Sequence, residues 1–246
     1  MTTRLQDSNA ARRYALAAIP CSIGFAVVAW AVLTGRTAGI DHFGLLFWRD
    51  ADLRPLGPPR LLETVRDVTA LGGTLLRNLF ALGAIVALVF LHKRKEAALL
   101  GLTVVGGLLV NALLKLAVGR PRPEITLHLT EAGGASFPSG HSFNAAVVYI
   151  SLAIAFAALS QRRKVRLTIM GTAIAVSLAV ACSRIWLGVH WPTDALAGWL
   201  GGAAWAFSAA ALLRQPARHA AQFLPDDLSP EDSPAHAAER FPRPES

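Results

Sequence analysis

Long apolar stretches alternate with short polar ones along this chain, and the apolar stretches carry no strand-like alternation. They cover residues 15–34, 75–91, 97–118, 143–159, 167–181 and 195–213. A helix of about 20 apolar residues crosses the roughly 30 Å hydrocarbon core of a bilayer. The pattern therefore predicts an all-α integral membrane protein with a bundle of six transmembrane helices. The fifth run is short, and its outer end near Cys182 and Ser183 is the least defined boundary. Between the first two runs lies "RLLETVRDVTALGG" (60–73), where Leu61, Leu62, Val65, Val68 and Leu71 recur at helical spacing opposite Glu63, Arg66 and Asp67. That spacing predicts an amphipathic helix lying in the membrane interface before the second span. Residues 215–246 hold several prolines and Asp226, Asp227, Glu231 and Asp232, with too few apolar residues to form a core. We read a membrane domain over 1–214 followed by a disordered cytoplasmic tail.

Composition agrees with a membrane location. The 246 residues are 53% hydrophobic and 16% charged, with a net charge of +8. Basic residues cluster at Arg4, Arg12 and Arg13, at Lys93, Arg94 and Lys95, at Arg162, Arg163, Lys164 and Arg166, and at Arg214 and Arg218. In a six-span topology all four clusters fall on one side, which places both termini in the cytoplasm. The net charge is then a topology signal rather than a nucleic-acid surface, so no nucleic-acid partner is expected. The first apolar run follows basic residues as a signal peptide would. Its length and the lack of a small-residue cleavage site after it favour a retained anchor. Cys21 and Cys182 lie toward opposite faces and are read as buried, unpaired thiols.

Three polar stretches fall at the outer ends of spans: "KLAVGRPRP" (115–123), "PSGH" (138–141) and "SRIWLGVHWPTD" (183–194). Lys115 ends an apolar helix, where a charge either snorkels to the headgroups or meets a partner. Arg122 stands between Pro121 and Pro123, so it must be presented from extended backbone. Ser139, Gly140 and His141 open the fourth span. A helix N-terminus offers free N–H groups and positive partial charge, Gly140 permits close approach, and Ser139 adds a hydroxyl. A loop proline with a serine cap explains Pro138 and Ser139 or Ser142 equally well, but gives no role to His141.

His190 and Asp194 are four residues apart. If the sixth helix starts near Pro192, Asp194 lies in its first turn and can accept a hydrogen bond from one ring nitrogen of His190, leaving the other free as nucleophile or base. The alternative is that Asp194 complements the helix dipole while His190 sits at headgroup level. An acid and an imidazole could also bind metal, yet Lys115, Arg122 and Arg184 would repel a cation, so no metal is expected. Fixed cations and backbone N–H groups suit the oxygens of a phosphoryl group in transfer.

These stretches together resemble the signature of the type 2 phosphatidic acid phosphatases: lysine, six residues, Arg-Pro; Pro-Ser-Gly-His; and Ser-Arg, five residues, His, three residues, Asp. Lys115, Arg122 and Pro123 match the first part, Pro138 to His141 the second, and Ser183, Arg184, His190 and Asp194 the third. The resemblance covers residues 75–213 closely. It implies that His190 attacks phosphorus to form a phosphohistidine, that Asp194 orients it, and that His141 protonates the leaving oxygen and later activates water. Lys115, Arg122, Ser139, Gly140 and Arg184 would bind the phosphate oxygens, without metal or other cofactor. The family also holds soluble acid phosphatases and vanadate-dependent haloperoxidases, and six spans favour its membrane branch. Bacterial members of that branch include phosphatidylglycerophosphatase B and undecaprenyl diphosphate phosphatases with periplasmic sites. The implied substrate is a lipid phosphate: undecaprenyl diphosphate, phosphatidylglycerophosphate or phosphatidic acid.

A lipid phosphotransferase drawing on a polyprenyl diphosphate would use the same residues. So would a non-catalytic protein that only binds phospholipid headgroups. His128, Glu124 and Glu131 lie in the loop between the first two motifs and are either headgroup contacts or ordinary solvated residues.

Overall fold

The computed structural model describes residues 2–213, with side chains described over residues 9–212. Among these residues the chain forms eight helices: α1 (Thr2–Leu33), α2 (Ala38–Leu46), α3 (Pro59–Ala70), α4 (Thr74–Phe90), α5 (Arg94–Val118), α6 (Gly140–Ala157), α7 (Arg163–Trp186) and α8 (Pro192–Leu213). The predicted tail lies outside the described residues. Five helices are long and apolar enough to cross a membrane. The bent pair α3 and α4, meeting at 45°, counts as a sixth only if both belong to one broken span.

Helix α6 forms the centre. Nearly every residue from Ser142 to Ala157 is buried, because α4, α5, α7 and α8 all pack around it. On one side Val148 and Ala155 meet Ala81, Leu88, Leu100 and Val104 of α4 and α5. On the other, Ala146, Ile150 and Ile154 meet Ala203 and Ala206 of α8, with Tyr14 and Cys21 of α1 packed outside. Small residues at these contacts let the helix backbones approach closely. Leu16, Ile23, Val27, Leu102, Leu109 and Leu116 point outward and exposed. For a soluble domain so much exposed apolar surface would be a liability, whereas here it faces lipid.

The structure adds to the sequence reading at some points and changes it at others. Helix α2 was not foreseen: its nine residues are too few for a clear period, and it turns Asp41 and Leu45 inward while Ile40 and Phe43 stay exposed. Helix α3 stands where the amphipathic stretch predicts a helix, and its partly buried Leu61, Leu62 and Val65 pack on Trp186, Leu187 and Val189. Helix α7 continues through Trp186, making Ser183 and Arg184 helical rather than loop residues. Nothing in that stretch stops the helix before Gly188, which takes φ +77°. Cys182 is exposed rather than buried, while Cys21 is half-buried; both thiols are free.

Candidate active site

The ends of α5 and α7 and the starts of α6 and α8 meet at one end of the bundle, and backbone bonds tie their motifs together. Helix α5 stops at Gly119, whose φ of +61° belongs to the left-handed region and whose N–H closes on the Lys115 carbonyl. The chain then runs extended through the two Arg-Pro pairs. The Ser136 N–H donates to the Arg120 carbonyl at 2.7 Å and the Ser139 N–H to the Asp194 carbonyl at 3.0 Å. These two bonds fix the second motif against the first and the third.

On one side of the site stand cations. Arg122 donates to the carbonyls of Gly133, Gly134 and Val189, so the tandem glycines serve as its acceptors. Its Nη1 also lies 3.2 Å from His190 Nε2. Lys115 Nζ donates to the Ala135 carbonyl. Arg184 is buried and reaches Thr69 Oγ1 of α3 at 3.0 Å, while its Nε is buried without a partner among the described residues. Within those residues, none of the three cations has a carboxylate oxygen within 4 Å, although the three lie in electrostatic range of one another. Burial lowers the Arg122 pKa from its ordinary value against the opposing pull of Asp194. Three such cations side by side suit an anionic group.

The N-terminus of α6 faces the same space. Ser139 is the N-cap: its Oγ accepts from Ser142 N–H at 3.4 Å and from Ser142 Oγ at 2.9 Å. Its oxygen is the acceptor in both bonds, so its O–H remains a donor beside the backbone N–H groups of this turn. At Gly140 a Cβ would come within 3.4 Å of Lys115 Cε and 3.3 Å of Asn111 Oδ1. A larger residue there would crowd the lysine.

On the other side lie His190 and Asp194, both almost fully buried. A guanidinium has no acceptor, so His190 Nε2 must present its lone pair to Arg122 and the ring proton sits on Nδ1. Burial depresses the His190 pKa to about 4 against the opposing pull of Asp194, so the ring is neutral at pH 7. Asp194 is the third residue of α8 and reaches back to the Trp191 N–H at 3.1 Å, satisfying a helix-start donor. Its other oxygen accepts from Arg120 at 2.7 Å. Arg120 also donates to Asp41 at 2.6 Å, and Asp41 accepts from the Thr193 N–H and hydroxyl. The expected direct bond from His190 to Asp194 is not formed: Nδ1 and Oδ2 are 3.7 Å apart, and the Ser136 hydroxyl stands between them.

All the residues predicted from the three motifs gather at this end of the bundle. Glu124 and Glu131 are exposed, and His128 bonds the Pro123 carbonyl at 2.6 Å. Sequence reasoning missed Ser136, Arg120, Asp41 and Arg77. Arg120 precedes Pro121 just as Arg122 precedes Pro123, and the same logic would have found it. Arg77 is a charge in an apolar run, itself a signal; it is buried on α4, bonded to the Gly72 carbonyl, and in electrostatic range of His141. Among the described residues no three His, Cys, Asp or Glu side chains gather as a metal-ligand set.

The PAP2 superfamily matches residues 96–218, which contain every one of the three motifs. The chain belongs to this family. It is 36% identical over 148 residues to phosphatidylglycerophosphatase B of Bacillus subtilis, covering 57% of this chain and 69% of that protein. It is 38% identical over 111 residues to the undecaprenyl-diphosphatase BcrC of the same organism, covering 43% of this chain and 51% of that one. The crystal structure of a transmembrane PAP2-type phosphatidylglycerolphosphate phosphatase from Bacillus subtilis superposes with a TM-score of 0.67 at 26% identity, covering 78% of this chain and 94% of that one. Its relatives are lipid phosphatases of this family and five of its described helices are long and apolar enough to cross a membrane, so the chain is a membrane lipid phosphatase.

Proposed function

We propose that this enzyme hydrolyses a lipid phosphate monoester or diphosphate by a metal-independent, two-step displacement through a phosphohistidine at His190. The observation that carries this reading is the 3.2 Å approach of Arg122 to His190 Nε2, which sets the ring's lone pair at the edge of a cluster of cations lacking carboxylates. In the first step Nε2 forms a bond to phosphorus, and the bond from phosphorus to the leaving oxygen breaks while His141 gives that oxygen a proton. In the second, His141 takes a proton from water, the new hydroxide attacks phosphorus, and the bond to Nε2 breaks. Lys115, Arg122, Arg184 and the N–H groups at Gly140 and His141 hold the phosphate oxygens, where fixed donors stabilise developing charge most. Asp194 orients the nucleophile, and Ser139 caps the helix that supplies the amides.

In this reading the chain crosses the membrane six times, the site sits at the outer ends of α5, α6, α7 and α8, both termini are in the cytoplasm, and the membrane itself delivers the substrate. Phosphatidic acid, phosphatidylglycerophosphate and undecaprenyl diphosphate all keep their phosphate at this depth while their tails remain in the bilayer. The relatives named for the last two support testing those first. Phosphate release by the purified protein from these three lipids gives the substrate order, and the reading requires at least one to turn over in the presence of chelator. In His190→Ala release should fall on the order of 10⁵-fold. Turnover that survives this substitution, or that requires added metal, overturns the mechanism.

A further inference from the structure

We propose that Ser136 is the positioning residue through which Asp194 acts on His190, by a relayed hydrogen bond in place of a direct one. The inference rests on His190 as the nucleophile. Its geometry is specific: Ser136 Oγ lies 3.2 Å from His190 Nδ1 and 2.5 Å from Asp194 Oδ2, while Nδ1 and Oδ2 are 3.7 Å apart. Since Nδ1 carries the proton, the direction of the chain is fixed: Nδ1–H donates to Ser136 Oγ, and the serine hydroxyl donates to the carboxylate. The opposite direction would require Asp194 to be the donor.

Asp194 has no freedom to replace this relay. One oxygen is held by Arg120 at 2.7 Å, and the other also accepts the Trp191 N–H at 3.1 Å. Turning the carboxylate toward Nδ1 would break one of these bonds. Ser136 is equally constrained, since its N–H donates to the Arg120 carbonyl and the following Phe137 is fully buried against Phe25. Ser136 has no solvent exposure, so water does not compete for its hydroxyl.

The relay divides the work of the carboxylate. When the bond from Nε2 to phosphorus forms and the leaving oxygen takes its electron pair and the His141 proton, the ring gains positive charge and Nδ1 keeps its proton. That charge is met by the Ser136 oxygen, polarised by Asp194, while Arg120, shared with Asp41, bonds the carboxylate's other oxygen. When water displaces the ring, the same bonds return it to the neutral Nδ1–H form. No proton leaves Nδ1 at any step.

The test compares Ser136→Ala, Ser136→Cys, Asp194→Asn and the Ser136→Ala/Asp194→Asn double variant in detergent micelles, on whichever lipid phosphate the wild type turns over. Ser136→Ala should lower kcat about 10²-fold, as for loss of one preorganised hydrogen bond, with KM within about threefold. Ser136→Cys, which keeps a weak donor of similar size, should fall between alanine and wild type. The double variant should be no slower than Asp194→Asn, because both substitutions break one chain. Histidine ¹⁵N spectra should show His190 losing its single Nδ1–H tautomer in Ser136→Ala, a change that loosened packing alone would not produce. Losses that multiply in the double variant, or near-wild-type kcat in Ser136→Ala, overturn the relay. If Ser136→Ala does not fold, the cysteine variant alone decides: kcat and tautomer equal to wild type overturn the relay, and reduced kcat with unchanged KM supports it. His190→Ala separates the two levels: turnover in that variant refutes the nucleophile itself, whereas an inactive His190→Ala beside a fully active Ser136→Ala refutes only the relay.

Discussion

The two halves of the site are built on opposite principles. Around Asp194 both carboxylate oxygens have partners: Ser136 and the Trp191 amide take one, Arg120 takes the other, and Asp41 with Thr193 closes the network behind. Across the site, Lys115, Arg122 and Arg184 are half-buried or buried with no carboxylate within 4 Å among the described residues, and Arg184 Nε has no partner at all. The first half is satisfied by protein groups alone, while the second presents donors suited to an anion. In the proposed mechanism Asp194 must hold one orientation through both chemical steps, and a satisfied network suits that task. Groups that must bind and release phosphate cannot be neutralised in advance, and carry the cost of buried charge instead.

This contrast predicts that substitutions in the two halves separate stability from activity. The largest effect on folding should come from Arg120→Ala, which leaves Asp41 and Asp194 facing each other without their shared cation. Breaking a buried ion pair costs about 3–5 kcal/mol, on the order of 10 °C in melting temperature for a chain of this size. Scanning calorimetry or a fluorescence melt in detergent reads it directly, and an unchanged melting temperature would break the contrast. Arg184→Ala should do the reverse. It removes an unneutralised buried charge, so the protein should melt no lower than wild type, while kcat/KM falls about 10²–10³-fold. Loss of stability in that variant would mean that Arg184 is a structural clamp through Thr69.

Smaller is the pH effect of His190. Its pKa is about 4 when folded, against about 6.5 in an unfolded chain. Between these values the unfolded chain binds the extra proton, so the stability contributed by a neutral His190 is complete above about pH 6.5 and lost as pH falls toward 4. Melting temperatures from pH 7 to 5 should therefore decline less in His190→Gln than in wild type. An identical decline would show that folding does not lower the His190 pKa.

Much of this was legible in the sequence, for identifiable reasons. Hydrophobic run length gives the long helices, because lipid demands continuous apolar surface and internally bonded backbone. The three motifs declare themselves by local chemistry: a pre-proline arginine, a Pro-Ser-Gly turn, and an acid four residues after a histidine. The orienting network did not declare itself. Ser136 meets Asp194 across 58 positions and Asp41 meets Arg120 across 79, and neither residue is unusual where it stands in the chain. Helix α2 was illegible for the same reason: its value lies in delivering Asp41 to a partner that only the fold brings near. The fifth span was drawn too short because its apolar run ends near Cys182, whereas the helix continues through the polar Ser183 and Arg184 to Trp186.

The measurement that tests the central claim most directly is the stereochemical course at phosphorus. A lipid phosphorothioate made chiral with oxygen isotopes, hydrolysed in labelled water, reports how many in-line displacements occur. Attack by His190 followed by attack of water inverts phosphorus twice and predicts net retention. Net inversion would mean that water attacks the lipid phosphate directly, and that His190 never carries the phosphoryl group.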